Sequence, residues 1–208
     1  MKITALTPQK RNPGHFNLFL NGKFVCGLDA DLIVTHQLVV GQELADSEVK
    51  SLLASADFSS FYNKVLNLLS YRPHSIYEVQ AYLKKLKASE DVSRQVIAKC
   101  QQRKLLDDQA FCKWFVGQRQ TYRPRSKRML MSELKQKGIN EEIIATVLSS
   151  SDFSEAASAY TLAQKKWRSL SRYDSVKRAE KLKSYLARQG FSWDVIQSVL
   201  IQLTAEND

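Results

Sequence analysis

The tripeptide Tyr71-Arg72-Pro73 returns 51 positions later as Tyr122-Arg123-Pro124. In both places a leucine follows the proline by ten residues, Leu83 and Leu134, and a lysine-rich turn comes next. A weaker third copy has Leu186 and then Gly190-Phe191-Ser192-Trp193-Asp194-Val195-Ile196, and the ten-residue step from Leu134 to Ile144 recurs from Leu186 to Ile196. In the first copy the step from Leu83 to Ile97 is fourteen, which reads as an insertion of about four residues. A period near 50 points to helical units that stack, each covering the apolar face of its neighbour.

Glycine and proline mark where this repeated text begins. Pro8, Pro13, Gly14, Gly22, Gly27 and Gly41 all precede residue 42, and only Pro73, Gly117, Pro124, Gly138 and Gly190 follow. The front is therefore built of short elements. His15-Phe16-Asn17-Leu18-Phe19-Leu20 alternates with period two and meets Lys23-Phe24-Val25-Cys26 across Asn21-Gly22. An Asn-Gly pair between apolar runs is a strong hairpin signal, since both turn residues need positive φ. Ile3 to Leu6 adds a third strand, and 29–36 and 46–56 read as short helices.

Each repeat reads as three helices: 58–70, 75–87 and 91–103; 108–121, 124–137 and 140–149; 153–169, 174–189 and 192–203. Ser75 with Glu78 forms a capping box, and Asp152 with Glu155 a second such pair. Asn140 and Ser192 are good N-caps, and Pro124 suits a first helical position. Gly138 and Gly190 stand where a helix ends in the left-handed conformation. Ile139, Ile143, Ile144, Val147 and Leu148 form one core stripe, and Phe191, Val195, Ile196, Val199, Leu200 and Leu203 another. The expected fold class is mainly α: three tandem three-helix repeats in an elongated array, with a small N-terminal β-hairpin-containing segment. The expected divisions are 1–57 for that segment, then repeats at 58–105, 106–150 and 151–208.

Charge follows the same division. The chain of 208 residues carries +10, yet residues 1–60 net −1 and residues 61–208 net +11. An excess confined to the helical part suggests an anionic partner, nucleic acid or an acidic protein face. The cations recur at the junctions. Lys84, Lys85 and Lys87 end the second helix of the first copy. Arg119, Arg123, Arg125, Lys127 and Arg128 cross the first junction of the second copy, and Lys135 and Lys137 close its second helix. Lys165, Lys166, Arg168, Arg172, Lys177, Arg178, Lys181 and Lys183 crowd the third copy, and Tyr71, Tyr122 and Tyr173 stand beside these clusters. Equivalent junctions in a stacked array fall along one edge, so such cations could follow a charged filament. A single lysine of this kind ordinarily does no more than solvate a helix surface.

Catalytic patterns are missing. There is no GxGxxG and no GxxxxGK[ST]. His15, His36 and His74 are scattered, and Cys26, Cys100 and Cys112 form no CxxC, so no metal site, cofactor or disulfide framework is expected. Asp107-Asp108 could serve a metal-dependent nuclease, but at a helix start the two carboxylates read first as caps. No run approaches the ~18 apolar residues of a membrane helix. The expectation is a non-enzymatic, cytoplasmic binding protein, monomeric and away from membranes.

Three stretches carry a family resemblance. Leu66-Asn67-Leu68-Leu69-Ser70-Tyr71-Arg72-Pro73-His74-Ser75 resembles the LxLLxxRxRS opening of the RecX family of bacterial recombination regulators. Leu105-Leu106-Asp107-Asp108-Gln109-Ala110-Phe111 resembles its GLLDDxxFA stretch, with Lys104 in place of the glycine. Glu133-Leu134-Lys135-Gln136-Lys137-Gly138-Ile139 resembles its ELxxKGI stretch. The likeness covers residues 61–203, and the front resembles the extra region of some members.

It implies an all-helical regulator without enzymatic activity. Such a protein binds the RecA filament on single-stranded DNA, inhibits its ATPase and strand exchange, and so modulates recombination and DNA repair. Single-stranded and double-stranded DNA are further candidate partners. The candidate contact residues are Arg72, Arg119, Arg123, Arg125, Lys127, Arg128, Lys135, Lys137, Arg168, Arg172, Lys177, Arg178 and Lys181. Two departures bear on them. The first copy has Lys87-Ala88-Ser89-Glu90 in place of the Lys-Gly turn, which reads as a rebuilt turn, and the third has Ser175-Val176 in place of Arg-Pro. The alternative is a stand-alone helical DNA-binding protein acting without RecA. Helices 140–149 and 192–203 are, however, poor in the Arg, Asn and Gln that read base edges.

Overall fold

The structure is a computed structural model in which residues 1–10, 12–150 and 153–205 are described. The chain divides into two units, Met1–Arg72 with Val79–Leu105, and Pro73–Glu78 with Leu106–Asp208. The division falls inside one helix, whose first turn belongs to the second unit.

The first unit opens with a three-stranded antiparallel sheet in the order β1 (Ile3–Pro8), β2 (His15–Leu20), β3 (Lys23–Asp29). The hairpin forms where the sequence places it, with Leu20 opposite Lys23 and with Asn21 and Gly22 at φ 48° and 79°. Ile3 pairs with Leu20, giving the third strand. Asp29 then caps α1 (Ala30–Thr35), accepting from the Leu32 amide at 2.8 Å. The sheet buries Ile3, Leu18, Leu20 and Leu28 against Val49, Leu52 and Ala56 of α2 (Asp46–Tyr71). Each such aliphatic side chain removed from water contributes about 1.5–3 kcal/mol.

Helix α2 corrects the sequence reading. It is one helix of 26 residues where two were expected, at 46–56 and 58–70, and it crosses the expected division at residue 57. Ser55, Asp57, Ser59 and Ser60 look like a break, since such residues favour caps and turns. Their propensity penalty is only tenths of a kcal/mol each. Burial of Leu52, Ala56, Tyr62 and Val65 outweighs it, and Phe58 stacks on Tyr62 one turn on, centroids 5.7 Å apart.

The lower part of α2 begins the first repeat. Val65 is buried with Val79 and Leu83 of α3 (Ile76–Lys85) and with Val96, Ile97 and Cys100 of α4 (Glu90–Gln102). In the second unit, α5 (Asp108–Tyr122), α6 (Lys127–Gln136) and α7 (Glu141–Ser149) bury Phe111, Phe115, Leu130, Leu134, Ile144 and Val147 together. Next, α8 (Glu155–Ser169), α9 (Ser175–Arg188) and α10 (Trp193–Ala205) do the same with Ala163, Trp167, Leu182, Leu186, Ile196 and Val199. The chain is thus mainly helical, built of three-helix repeats behind a small sheet.

The turn after the middle helix is the same in all three copies. Lys87, Gly138 and Gly190 take φ of 60°, 75° and 85°. The following amides of Ala88, Ile139 and Phe191 donate back to the carbonyls of Leu83, Leu134 and Leu186 at 3.1, 3.1 and 3.3 Å. Ser89 and Asn140 then cap α4 and α7. Leu83 and Leu134 therefore stand equally far from their caps, and Ile97 matches Leu148 rather than Ile144. The insertion read in the first copy is absent, and its turn is not rebuilt: Lys87 accepts the left-handed conformation that glycine takes elsewhere. The extra residues lie in the third copy. Its middle helix has 14 residues where α3 and α6 have ten, so Ser175 and Val176 fall inside α9.

Two caps also differ from expectation. Ser126 accepts the Met129 amide at 3.2 Å and starts α6, which leaves Pro124 in the link and buried. Ser154 caps α8, and the expected Asp152 cap lies outside the described residues.

Candidate functional site

One bonding pattern occurs twice inside the second unit, joining each repeat to the next. The amide of Ile76, first residue of α3, donates to the carboxylate of Asp108, first residue of α5, at 2.8 Å. The amide of Lys127, first residue of α6, donates to Glu155, first residue of α8, at the same distance. Each acid satisfies an amide that a helix start leaves without an internal partner. Above these bonds the middle-helix start meets the next repeat's turn. Ser75 Oγ donates to the Lys137 carbonyl at 2.7 Å. A Cβ on Gly138 would lie 2.4 Å from Tyr77 Cβ, and one on Gly190 would lie 2.7 Å from Ser126 Oγ.

Asp107 and Asp108 are thereby accounted for. Asp107 caps α5, accepting from Gln109 at 2.7 Å and Ala110 at 3.0 Å. Burial raises the Asp108 carboxyl above the usual carboxylate range, the Ile76 amide opposes this, and Asp107 adds to it. Burial also pushes the Cys112 thiol up to about 11, with Asp108 contributing, so it stays protonated at neutral pH.

The junctions sort the candidate cations into those held by the fold and those left open. Arg119 Nε donates to Glu133 Oε2 at 2.6 Å, with its guanidinium 4.6 Å from the Phe115 ring centre. Arg125 Nε stands 3.5 Å from the other oxygen of Glu133, and its Nη1 donates to Gln189 at 2.9 Å. Lys137 pairs with Glu78 at 2.6 Å. Arg178 donates twice to the Trp167 carbonyl, at 3.0 and 2.7 Å, and lies 4.0 Å over that ring. Lys135 pairs with Glu141 at the surface, and that hydrogen bond, more than the charge itself, lowers the Glu141 carboxyl below its ordinary range.

Other cations remain exposed. Arg172 donates to the Tyr173 hydroxyl at 3.0 Å, and Lys181 lies 4.6 Å over the same ring. Lys177 is 3.7 Å from Asp174, which caps its own helix. Arg72 is the C-cap of α2 in the first unit. Among the described residues no carboxylate lies within ion-pair distance of Arg123, Lys127, Arg128 or Arg168, all four exposed. Three of these gather at the α5–α6 junction, Arg123 as the C-cap of α5 and Lys127 and Arg128 as the first residues of α6.

Sequence reasoning read Glu78 and Glu155 as helix-start capping residues and gave Glu133 no partner, so it missed that all three organise the junctions. Their signal was present, since Asp108 and Glu155 each open the first helix of a repeat, but only the folded junction shows what they face. It also grouped three tyrosines that the structure separates. Tyr71 and Tyr122 are the last residues of α2 and α5, each followed by an arginine C-cap. Tyr173 lies past the end of α8 and packs against the third core. For the DNA-reading alternative, α7 opens with Glu141-Glu142 and α10 has Asp194 in its first turn. Acids there oppose the approach of a helix start to base edges.

Profiles of the RecX family match four stretches: the N-terminal domain of regulatory protein RecX at residues 1–45, and its first, second and third three-helix domains at 62–100, 107–148 and 154–200. The Bacillus subtilis (strain 168) protein named regulatory protein RecX is 34% identical over 210 residues, covering 99% of this chain and 78% of its own. The Leuconostoc mesenteroides protein of the same name is 27% identical, covering 100% and 78%. A crystal structure of regulatory protein RecX superposes with a TM-score of 0.71 at 25% identity, over 95% of this chain and 98% of that one. The crystal structure of RecX from Lactobacillus salivarius gives 0.64 at 26% identity, over 73% and 99%.

Proposed function

The chain belongs to the RecX family of regulatory proteins, and from that premise we propose that it binds the RecA filament on single-stranded DNA and restrains its ATPase and strand exchange. It does so without catalysis of its own, as a soluble cytoplasmic monomer. The observation that carries this reading is the set of exposed cations at the α5–α6 junction that have no carboxylate partner among the described residues. These are Arg123, Lys127 and Arg128, while Arg119 and Arg125 beside them share the single carboxylate of Glu133. Unpaired surface cations favour an anionic partner and speed encounter with it, more so at low salt. Arg168 of α8 and Lys181 of α9, exposed and without a carboxylate partner among the described residues, extend the same chemistry into the third repeat. Several modest contacts along a polymer reinforce one another through effective concentration.

The test is an ATPase assay of RecA on single-stranded DNA with added protein at two salt concentrations. Inhibition that weakens as salt rises supports the reading. An ATPase rate indifferent to the protein at both salts removes it.

A further inference from the structure

Tyr71 and Tyr122 occupy one structural position in two repeats, and both are open. Each ends the first helix of its copy, and each is followed by an arginine C-cap and then by proline. Their side chains are 81% and 70% exposed. Single exposed aromatics are ordinary on protein surfaces. Here the exposed ring recurs with the repeat, and in copy two it is followed at once by Arg123, which has no carboxylate partner among the described residues. The contrast with Tyr173 is informative. That ring packs against the third core and carries Arg172 and Lys181 over it, 5.0 and 4.6 Å from its centre.

We propose that Tyr122, and Tyr71 as its counterpart, are stacking residues for unpaired bases of single-stranded DNA, with Arg123 on the adjacent phosphate. An open aromatic ring takes the π-face of any base, and a flanking cation takes the backbone charge. Duplex bases have both faces covered, so the pair selects single strands. The start of α6 is not a competing phosphate site, since Glu155 already fills the Lys127 amide. This inference rests on the filament reading for the place of the strand, but its chemistry requires no RecA.

The experiment uses the full chain, fluorescence anisotropy and two labelled strands of equal length: oligothymidylate and an abasic strand with the same phosphates. Wild type binds the base-bearing strand more tightly. Tyr122→Ala loses about fivefold to a hundredfold on that strand, the range for one lost stack, and little on the abasic one. Tyr122→Phe stays within about twofold of wild type, since the ring and not the hydroxyl stacks. Arg123→Gln weakens both strands and flattens the salt dependence by roughly one phosphate contact. Circular dichroism confirms that each variant is folded. Equal binding of the two strands by wild type, no binding of either, or unchanged binding by a Tyr71→Ala/Tyr122→Ala double variant overturns the proposal. ATPase inhibition is read separately, so loss of stacking with inhibition intact sinks this inference alone.

Discussion

Ser75 and Lys137, 62 positions apart, are joined by a 2.7 Å hydrogen bond from the serine hydroxyl to the lysine carbonyl. The same oxygen accepts from the Glu78 amide at 3.1 Å, so one buried serine both starts α3 and fastens it to the turn after α6. This double use defines the junction between repeats. Replacing Ser75 by alanine leaves the Lys137 carbonyl and the Glu78 amide without this partner. Ser75→Ala is expected to lose about 1–3 kcal/mol, read as a lower denaturant midpoint.

The turn itself gives a pair of opposite predictions. Gly138→Ala places a Cβ against Tyr77 and forces φ 75° on a residue that disfavours it. A loss of about 1–2 kcal/mol is expected from the backbone alone, before the collision is relieved. Lys87 holds the equivalent conformation at φ 60°. Lys87→Gly should therefore raise stability, by roughly 0.5–1 kcal/mol. Thermal melts of the two variants should move in opposite directions.

These junctions show what the sequence could disclose. The hairpin was legible because Asn21-Gly22 is a local signal with a local cause. The cores were legible because Leu134 with Ile144 and Leu186 with Ile196 keep their spacing. The turn at Lys87 was not, since lysine rarely takes positive φ and only the carbonyl of Leu83 requires it here. The continuity of α2 was hidden because its serines weaken helix locally while distant packing decides the outcome. Among the cations, composition found the cluster but could not assign partners: Arg119 and Arg125 converge on Glu133 only after folding.

Asp108 should make stability depend on pH. Its carboxyl is raised in the folded state, chiefly by burial, so the folded chain holds a proton that the unfolded chain gives up more readily. Stability from this group is therefore greatest at low pH and falls as pH rises from the ordinary carboxylate value through the raised one. Asp108→Asn keeps an oxygen that can accept from Ile76 without the charge. The stability of this variant relative to wild type should rise across that window, measured by urea midpoints at a series of pH values. A difference that is flat with pH would contradict the assignment.

Pinned and open cations should separate in their effects. Arg178→Ala removes two bonds to the Trp167 carbonyl and the contact with its ring, and a loss of roughly 1–3 kcal/mol is expected in chemical denaturation. Arg128→Ala, exposed and without an acidic partner among the described residues, should leave the melt within about 0.5 kcal/mol of wild type.

The central claim is that the open cations of the α5–α6 link engage an anionic filament. The direct measurement is the RecA ATPase rate on single-stranded DNA as a function of added protein, comparing wild type with an Arg123→Glu/Lys127→Glu/Arg128→Glu variant shown to melt normally. Arg125 is left unchanged because Glu133 and Gln189 hold it. The account predicts that the folded variant needs far more protein for the same inhibition, with the deficit largest at low salt. Inhibition by the variant equal to that by wild type would contradict it.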